Sequence, residues 1–351
     1  MSTQQAVIKA EPKPGITIGD IPIPKISPDE VLIQVKTAGI CGTDVHIYEW
    51  VPSYEFLSKF MPVVLGHEFS GEVAEVGSQV SIFHPGDRVT SEPGQSCGHC
   101  TFCITGKPTL CDQRLSLGRI GLEKNGAMAK YVVCHHSLLH KIPNEVSFEE
   151  AAICEPVAVA FNALEQVNIF PGAPVVVLGC GYIGIVLAQG AKIAGASPVI
   201  VTGLSQDKDR LTLAKSLAAD LIINVEIEDP VEKVMSMTGG LGAAIVFEVS
   251  GSTKSFNKGL EMLQKGGDLV VVATYPENII MDVTQKIVRE MKTVRGVLGG
   301  SKVAWSRALN LMALGKLKVT PLITHRLPLE RAEEGFRACI EKKALKVILL
   351  P

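Results

Sequence analysis

Four cysteines stand within 15 positions, Cys97-Gly-His-Cys100-Thr-Phe-Cys103 followed by Cys111, a C-x2-C-x2-C-x7-C spacing. Four thiolates this close together suit a closed tetrahedral zinc site, which leaves no coordination position for a substrate. The chemistry they imply is therefore structural: the ion staples a loop. His99 lies inside the cluster, but four sulfurs complete the shell, so it reads as a loop residue. Disulfides and an iron–sulfur centre are the alternatives. The first suits a chain without a secretory start poorly. The second usually carries a C-x2-C-x2-C-x3-C-P spacing, which is absent.

A second set is dispersed. Cys41-Gly-Thr-Asp-Val-His46 follows a strand pattern, Gly66-His67-Glu68 comes 25 residues after Cys41, and Glu155 lies where the chain changes character. Singly, each has a plain reading. A lone cysteine is usually a small buried hydrophobe, and a lone His-Glu pair is usually a surface or capping pair. Together they offer one thiolate, one imidazole and one or two carboxylates. That is the ligand set of a catalytic zinc that keeps a position for substrate.

The third feature is Val175-Val-Val-Leu-Gly179-Cys-Gly181-Tyr182-Ile183-Gly184. Four apolar residues read as a strand buried on both faces, and the residues from Tyr182 to Ile193 are helix-compatible. In a G-x-G-x-x-G turn the first glycine permits the bend and the second lets backbone approach a pyrophosphate. The third lets helix and strand pack closely, and the helix N-terminus offers free N–H groups. With 33 glycines in the chain such a spacing arises by chance. Its place between a strand and a helix is what gives it meaning.

These residues need elements to hold them. The stretch from residue 1 to about 155 reads as β-rich, with strand patterns at Val31–Thr37, Gly71–Gly77 and Asp87–Thr90, and early prolines that exclude a helical start. From about Glu155 to Thr293, strands alternate with helices. The expected strands are Val175–Leu178, Val199–Thr202, Leu221–Val225, Ile245–Val249 and Leu269–Ala273, which implies a parallel sheet with helices on both faces. A helix over Trp305–Leu314 and short final strands close the chain. The 351 residues suffice for about two domains. A net charge of −2 without a basic block excludes nucleic acid as a partner. The longest apolar run, broken by three glycines, is not a membrane span. Nine cysteines read as reduced thiols or metal ligands, so a cytoplasmic location is expected.

The motifs resemble, from end to end and in order, the zinc-containing medium-chain dehydrogenases, above all their sorbitol (polyol) and L-threonine 3-dehydrogenase branches. The pieces that carry the likeness are Gly39-Ile-Cys-Gly-Thr-Asp-Val-His46, Gly66-His-Glu-Phe-Ser-Gly71, Gly86-Asp-Arg-Val89, the four-cysteine lobe, Glu155-Pro156, the glycine turn and Leu322-Ile-Thr-His-Arg326. The resemblance implies a GroES-like β-rich catalytic domain over 1–156, its zinc lobe at about 93–112, a Rossmann domain over 157–294, and a return to the catalytic domain over 295–351. It implies two zinc ions per chain, one held by Cys97, Cys100, Cys103 and Cys111, the other by Cys41, His67, Glu68 and Glu155. By the same resemblance, the two carboxylates would exchange as ligand and water holder between states. Thr43 and His46 match the positions of a proton relay. Val249, Val297 and Leu298 would line the nicotinamide half of the cofactor. The implied reaction moves hydride between a secondary alcohol and NAD or NADP, in a homodimer or homotetramer.

Two departures bear on specificity. The acid that usually ends the second Rossmann strand and holds the adenine-ribose hydroxyls is replaced by Gly203. The missing side chain leaves room for a 2′-phosphate, and Ser205, Lys208 and Arg210 follow, so the pattern leans toward NADP; Asp207, bending back to the ribose, is the competing reading. The substrate is the other question. Gly299-Gly300 stands where polyol dehydrogenases of the sorbitol type carry an Arg-aromatic pair, and Cys41–Trp50 is also closer to the threonine branch, whereas Glu155–Ala160 is closer to the polyol branch. A polyol or related secondary alcohol is the first expectation and L-threonine the second. A zinc-free quinone reductase of the same superfamily would lack both ligand sets, and a non-catalytic zinc-binding protein on this fold would not need Thr43, His46 and the glutamates.

Overall fold

In the computed structural model, which describes residues 2–351, the chain separates into two compact units. One holds the residues through Glu155 together with Ser301–Gly315 and Val319–Pro351. The other holds Pro156–Gly300 and Lys316–Lys318.

The first unit is built on a seven-stranded sheet whose spine is the strand Glu30–Ile40. This strand pairs antiparallel with Glu68–Val76, Tyr131–His135 and Val347–Leu350. Val31, Ile33 and Val35, two residues apart, share one face of it. They join Phe69, Val73, Val89, Val132 and Val347 in a single buried core. The spine ends at Ile40, immediately before Cys41, and Glu68 opens the neighbouring strand opposite Gly39. The register of two strands thus brings two distant sequence motifs to one end of the sheet. Val347–Leu350 pairs with the same end of the spine, so the chain terminus is part of this framework.

The second unit is a six-stranded sheet in which every pairing is parallel. Its strand order is Leu221–Asn224, Val199–Gly203, Val175–Leu178, Ala243–Glu248, Leu263–Val271 and Thr293–Gly296. In chain order that is 3-2-1-4-5-6, the doubly wound dinucleotide-binding arrangement. Val175–Leu178 lies centrally, each residue at most 2% exposed, as an apolar run in a parallel sheet must be. The helix after it runs over Tyr182–Ile193.

Two expected limits shift. A Rossmann segment ending at residue 294 would cut through a strand, because Thr293–Gly296 pairs with Asp268–Val271 and the unit continues to Gly300. That strand is an edge with Arg295 and Gly296 exposed, so it carries no apolar run to announce it. The preceding strand begins at Leu263 rather than Leu269, because Leu263 already pairs with Ala243, and Gly266-Gly267 falls in an irregularity before the pairing resumes at Asp268. Among the described residues no helix is long and apolar enough to cross a membrane.

Candidate active site

In the first unit, the ligand atoms of Cys41, His67 and Glu68 lie within 4.8 Å of one another. Cys41 caps the helix Gly42–Glu49, and Asp44 at its third position is fully buried. The Asp44 carboxylate accepts from the Cys41 N–H at 2.9 Å and from the Gly66 N–H at 3.3 Å, and lies 3.8 Å from His67 Nδ1. One carboxylate therefore ties together the backbone that presents two of the three ligands. Glu68 is fully buried, and a Cβ on Gly39 across the ladder would overlap its carboxylate. Lys346, only 5% exposed, sets its amine against that carboxylate and donates to the Ile40 carbonyl at 3.1 Å.

The electrostatics of this cluster ask for a cation. Burial pushes the Cys41 thiol up, with His67 opposing, and burial likewise pushes up the Asp44 and Glu155 carboxyls. Burial would depress His67, but the Cys41 sulfur and Asp44 outweigh it and raise it well above its ordinary value. The Lys346 amine is also held up: the Glu68 and Cys41 charges outweigh its burial. His67 Nδ1 and both Glu68 oxygens are buried without a hydrogen bond of normal geometry. Buried anionic groups and an orphaned imidazole nitrogen fit a divalent ion, which would favour the charged forms that burial disfavours. Glu155, half-buried, stands outside the three-residue group but within reach of the charges of His67 and Glu68. Thr43 is half-buried and His46 exposed, both on the helix that Cys41 caps, with the His46 ring stacked 6.1 Å from Tyr54.

Sequence reasoning left out Asp44 and Lys346 as parts of this centre. An acid three residues after a helix cap is a readable signal. Nothing local marks Lys346, whose partners lie at the other end of the chain.

Cys97, Cys100, Cys103 and Cys111 form the second group, their sulfurs also within 4.8 Å. The Cys97 N–H points at the Cys111 sulfur (3.2 Å) and the Cys100 N–H at the Cys97 sulfur (3.3 Å). Backbone N–H groups such as that of Cys103 bring the Cys100 thiol down to about 6, whereas burial pushes the Cys103 thiol up to about 11. His99 is exposed, its Nδ1 2.9 Å from the Cys97 carbonyl. The four free thiols fit a tetrahedral ion.

In the second unit the glycine turn has three distinct geometries. Gly179 takes φ +114°, closed to ordinary side chains, and abuts Ser250. Gly181 caps the helix and has open space where a Cβ would stand. A Cβ on Gly184 would overlap the Gly179 carbonyl oxygen and crowd Val249. Gly184→Ala should therefore cost about 1–3 kcal/mol of stability through forced backbone shifts. Thermal unfolding and loss of NADH binding would register it. The neighbouring loop hangs on the buried Glu248, which accepts from the Ser250 N–H (3.0 Å), the Gly251 N–H (3.2 Å), the Ser250 hydroxyl and the Tyr275 hydroxyl. Val297 extends the edge strand by donating to the Val271 carbonyl (3.0 Å), and Leu298 beside it is exposed.

The end of the second strand corrects one expectation. The space beside Gly203 is not open: a Cβ there would meet the Cys180 sulfur at 2.6 Å and Leu211 at 3.2 Å. The loop beyond is also less basic than its sequence suggests. Asp207 bends back to accept from the Leu204 N–H (3.1 Å) and pairs with Arg210 (3.4 Å). Ser205 gives its N–H to Glu226 (2.8 Å), and Lys208 is exposed.

Residues 27–144 match the alcohol dehydrogenase GroES-like domain, and residues 183–314 match the zinc-binding dehydrogenase domain. The chain is 38% identical over 350 residues to an L-threonine 3-dehydrogenase of Bacillus licheniformis, covering 99% of each. It is 36% identical to a sorbitol dehydrogenase of Halalkalibacterium halodurans, again covering 99% of each. A zinc-binding dehydrogenase of Sinorhizobium meliloti, solved bound to NADP, superposes with a TM-score of 0.90 at 29% identity over the whole of both chains. This chain belongs to the zinc-containing medium-chain dehydrogenases, enzymes that combine a GroES-like domain with a Rossmann domain.

Proposed function

We propose that the enzyme transfers hydride between a polyol-type secondary alcohol and a nicotinamide dinucleotide, with Cys41, His67 and Glu68 holding the zinc at which the alcohol reacts. The observation that carries this is the convergence of those three ligands on a buried centre with an orphaned imidazole nitrogen. Zinc bound there supplies Lewis-acid polarisation of the substrate hydroxyl. Glu155, whose charge reaches His67 and Glu68, would exchange with Glu68 as a ligand or hold a water. Thr43 accepts the hydroxyl proton at Oγ1 as it gives up its own, and the exposed His46 imidazole passes that proton to solvent. The turn Gly179–Gly184 holds the cofactor pyrophosphate at the N-terminus of Tyr182–Ile193. The four cysteines carry a second, structural zinc, making two per chain. The thiol-rich ligand sets suit the reducing cytoplasm, and the exposed edge strand Thr293–Gly296 suits assembly into a homodimer or homotetramer.

L-Threonine is the second reading, favoured by the 38% identity to a dehydrogenase of that name over 99% of both chains. A screen of polyols, simple secondary alcohols and L-threonine, each with NAD and NADP, separates the two. Turnover of a polyol well above that of L-threonine is expected; preference for L-threonine would reverse the order. No turnover with any of them would remove the substrate assignment.

A further inference from the structure

The loop after Gly203 receives a carboxylate from the turn that follows the neighbouring strand. Gly203 ends its strand directly beside Asn224, and the Val225 N–H donates to the Gly203 carbonyl at 3.0 Å. The chain is then turned by Asn224, whose side-chain oxygen accepts from the Glu226 N–H (3.1 Å) and whose amide donates to the Ser205 hydroxyl (3.0 Å). This frame aims the Glu226 carboxylate back across the loop, where Oε2 accepts the Ser205 N–H at 2.8 Å. The carboxylate is thus fixed beside the loop that follows Gly203, although it belongs to the turn after the neighbouring strand.

We propose that Glu226 selects NAD(H) over NADP(H), accepting a hydrogen bond from the adenine-ribose hydroxyls and repelling a 2′-phosphate. This rests on the dinucleotide-binding reading above. Three observations converge on it. The Ser205 N–H, which a 2′-phosphate would need, already serves Glu226. The pocket that a glycine at 203 would open is filled by Cys180 and Leu211. Arg210, the guanidinium nearest in sequence, is paired with Asp207. Lys254, whose charge reaches Glu226, is a cation for the carboxylate already present. A dianionic phosphate would therefore meet Glu226 and Asp207, and like charges in close juxtaposition are strongly discriminating.

Fluorescence titration of the zinc-loaded protein with NADH and NADPH tests this, using wild type and Glu226→Gln. The side chain is exposed and glutamine keeps an acceptor for Ser205, so the variant folds. Wild type should bind NADH at least about tenfold tighter than NADPH, and Glu226→Gln should close most of that gap, chiefly by tightening NADPH. Tighter NADPH binding by wild type, or an unchanged ratio in the variant, would overturn the assignment while leaving dinucleotide binding intact. Failure of either cofactor to bind would overturn the underlying reading, and this one with it.

Discussion

Replacing Cys41 by serine should yield a folded protein that holds one zinc instead of two and has lost its turnover. Cys41 supplies the only sulfur of the buried ligand group, and a serine hydroxyl is a far poorer zinc ligand than a thiolate. The loss of Lewis-acid stabilisation is worth several kcal/mol, so activity should fall by about three orders of magnitude or more. The four-cysteine group has its own ligands and supporting N–H donors, so its ion should remain. Metal analysis beside steady-state kinetics reads both parts. Normal turnover with one ion lost would refute the assignment of Cys41. The fold should persist because Cys41 follows the spine strand rather than forming part of its core, while Asp44 can still cap the helix through the backbone N–H of residue 41.

The second large effect concerns Lys346. Its amine is the cation set against Glu68, whose carboxylate is wholly buried. Lys346→Met removes that cation and leaves the carboxylate facing Asp44 and Glu155 in a poorly hydrated site. Breaking one side of a buried ion pair costs about 3–5 kcal/mol. Thermal unfolding should show the loss, and more of it after chelation, because a bound ion would partly compensate Glu68. Turnover should fall roughly 10- to 100-fold, the range for partners that orient metal ligands. The double variant Lys346→Met/Glu68→Gln should regain much of the stability, since the uncompensated Glu68 charge is gone; additive losses would show that the pair is not coupled.

These two residues show how unevenly the centre can be read from sequence. The cysteine lobe announces itself because all four ligands fall within 15 positions, and such spacing constrains geometry locally. The glycine turn is equally local: a strand, three glycines and a helix occupy adjacent positions, and each glycine's requirement arises within a few residues or from Ser250 and Val249 beside it. Cys41 and the His67–Glu68 pair needed the family likeness, since only strand register brings Gly39 opposite Glu68. Lys346 reaches its partners across more than 270 positions because Val347–Leu350 pairs with the end of the spine. No periodicity encodes that. The same holds at the cofactor end. Gly203 suggested an opening, but the fold fills the space with Cys180 and sets beside the loop the Glu226 carboxylate, from the turn after the next strand.

The amino-acid sequence by itself therefore determined the class of enzyme and made the four-cysteine lobe and the glycine turn legible from residues whose chemistry and close spacing suffice, whereas the dispersed Cys41 set rested on the family likeness. The tertiary structure decided which charges surround them: Asp44 and Lys346 at the metal centre, Asp207 and Glu226 beside the second strand. Coulombic and hydrogen-bonding energies depend on distance in space, and in a sheet that distance is set by pairing between strands far apart in the chain.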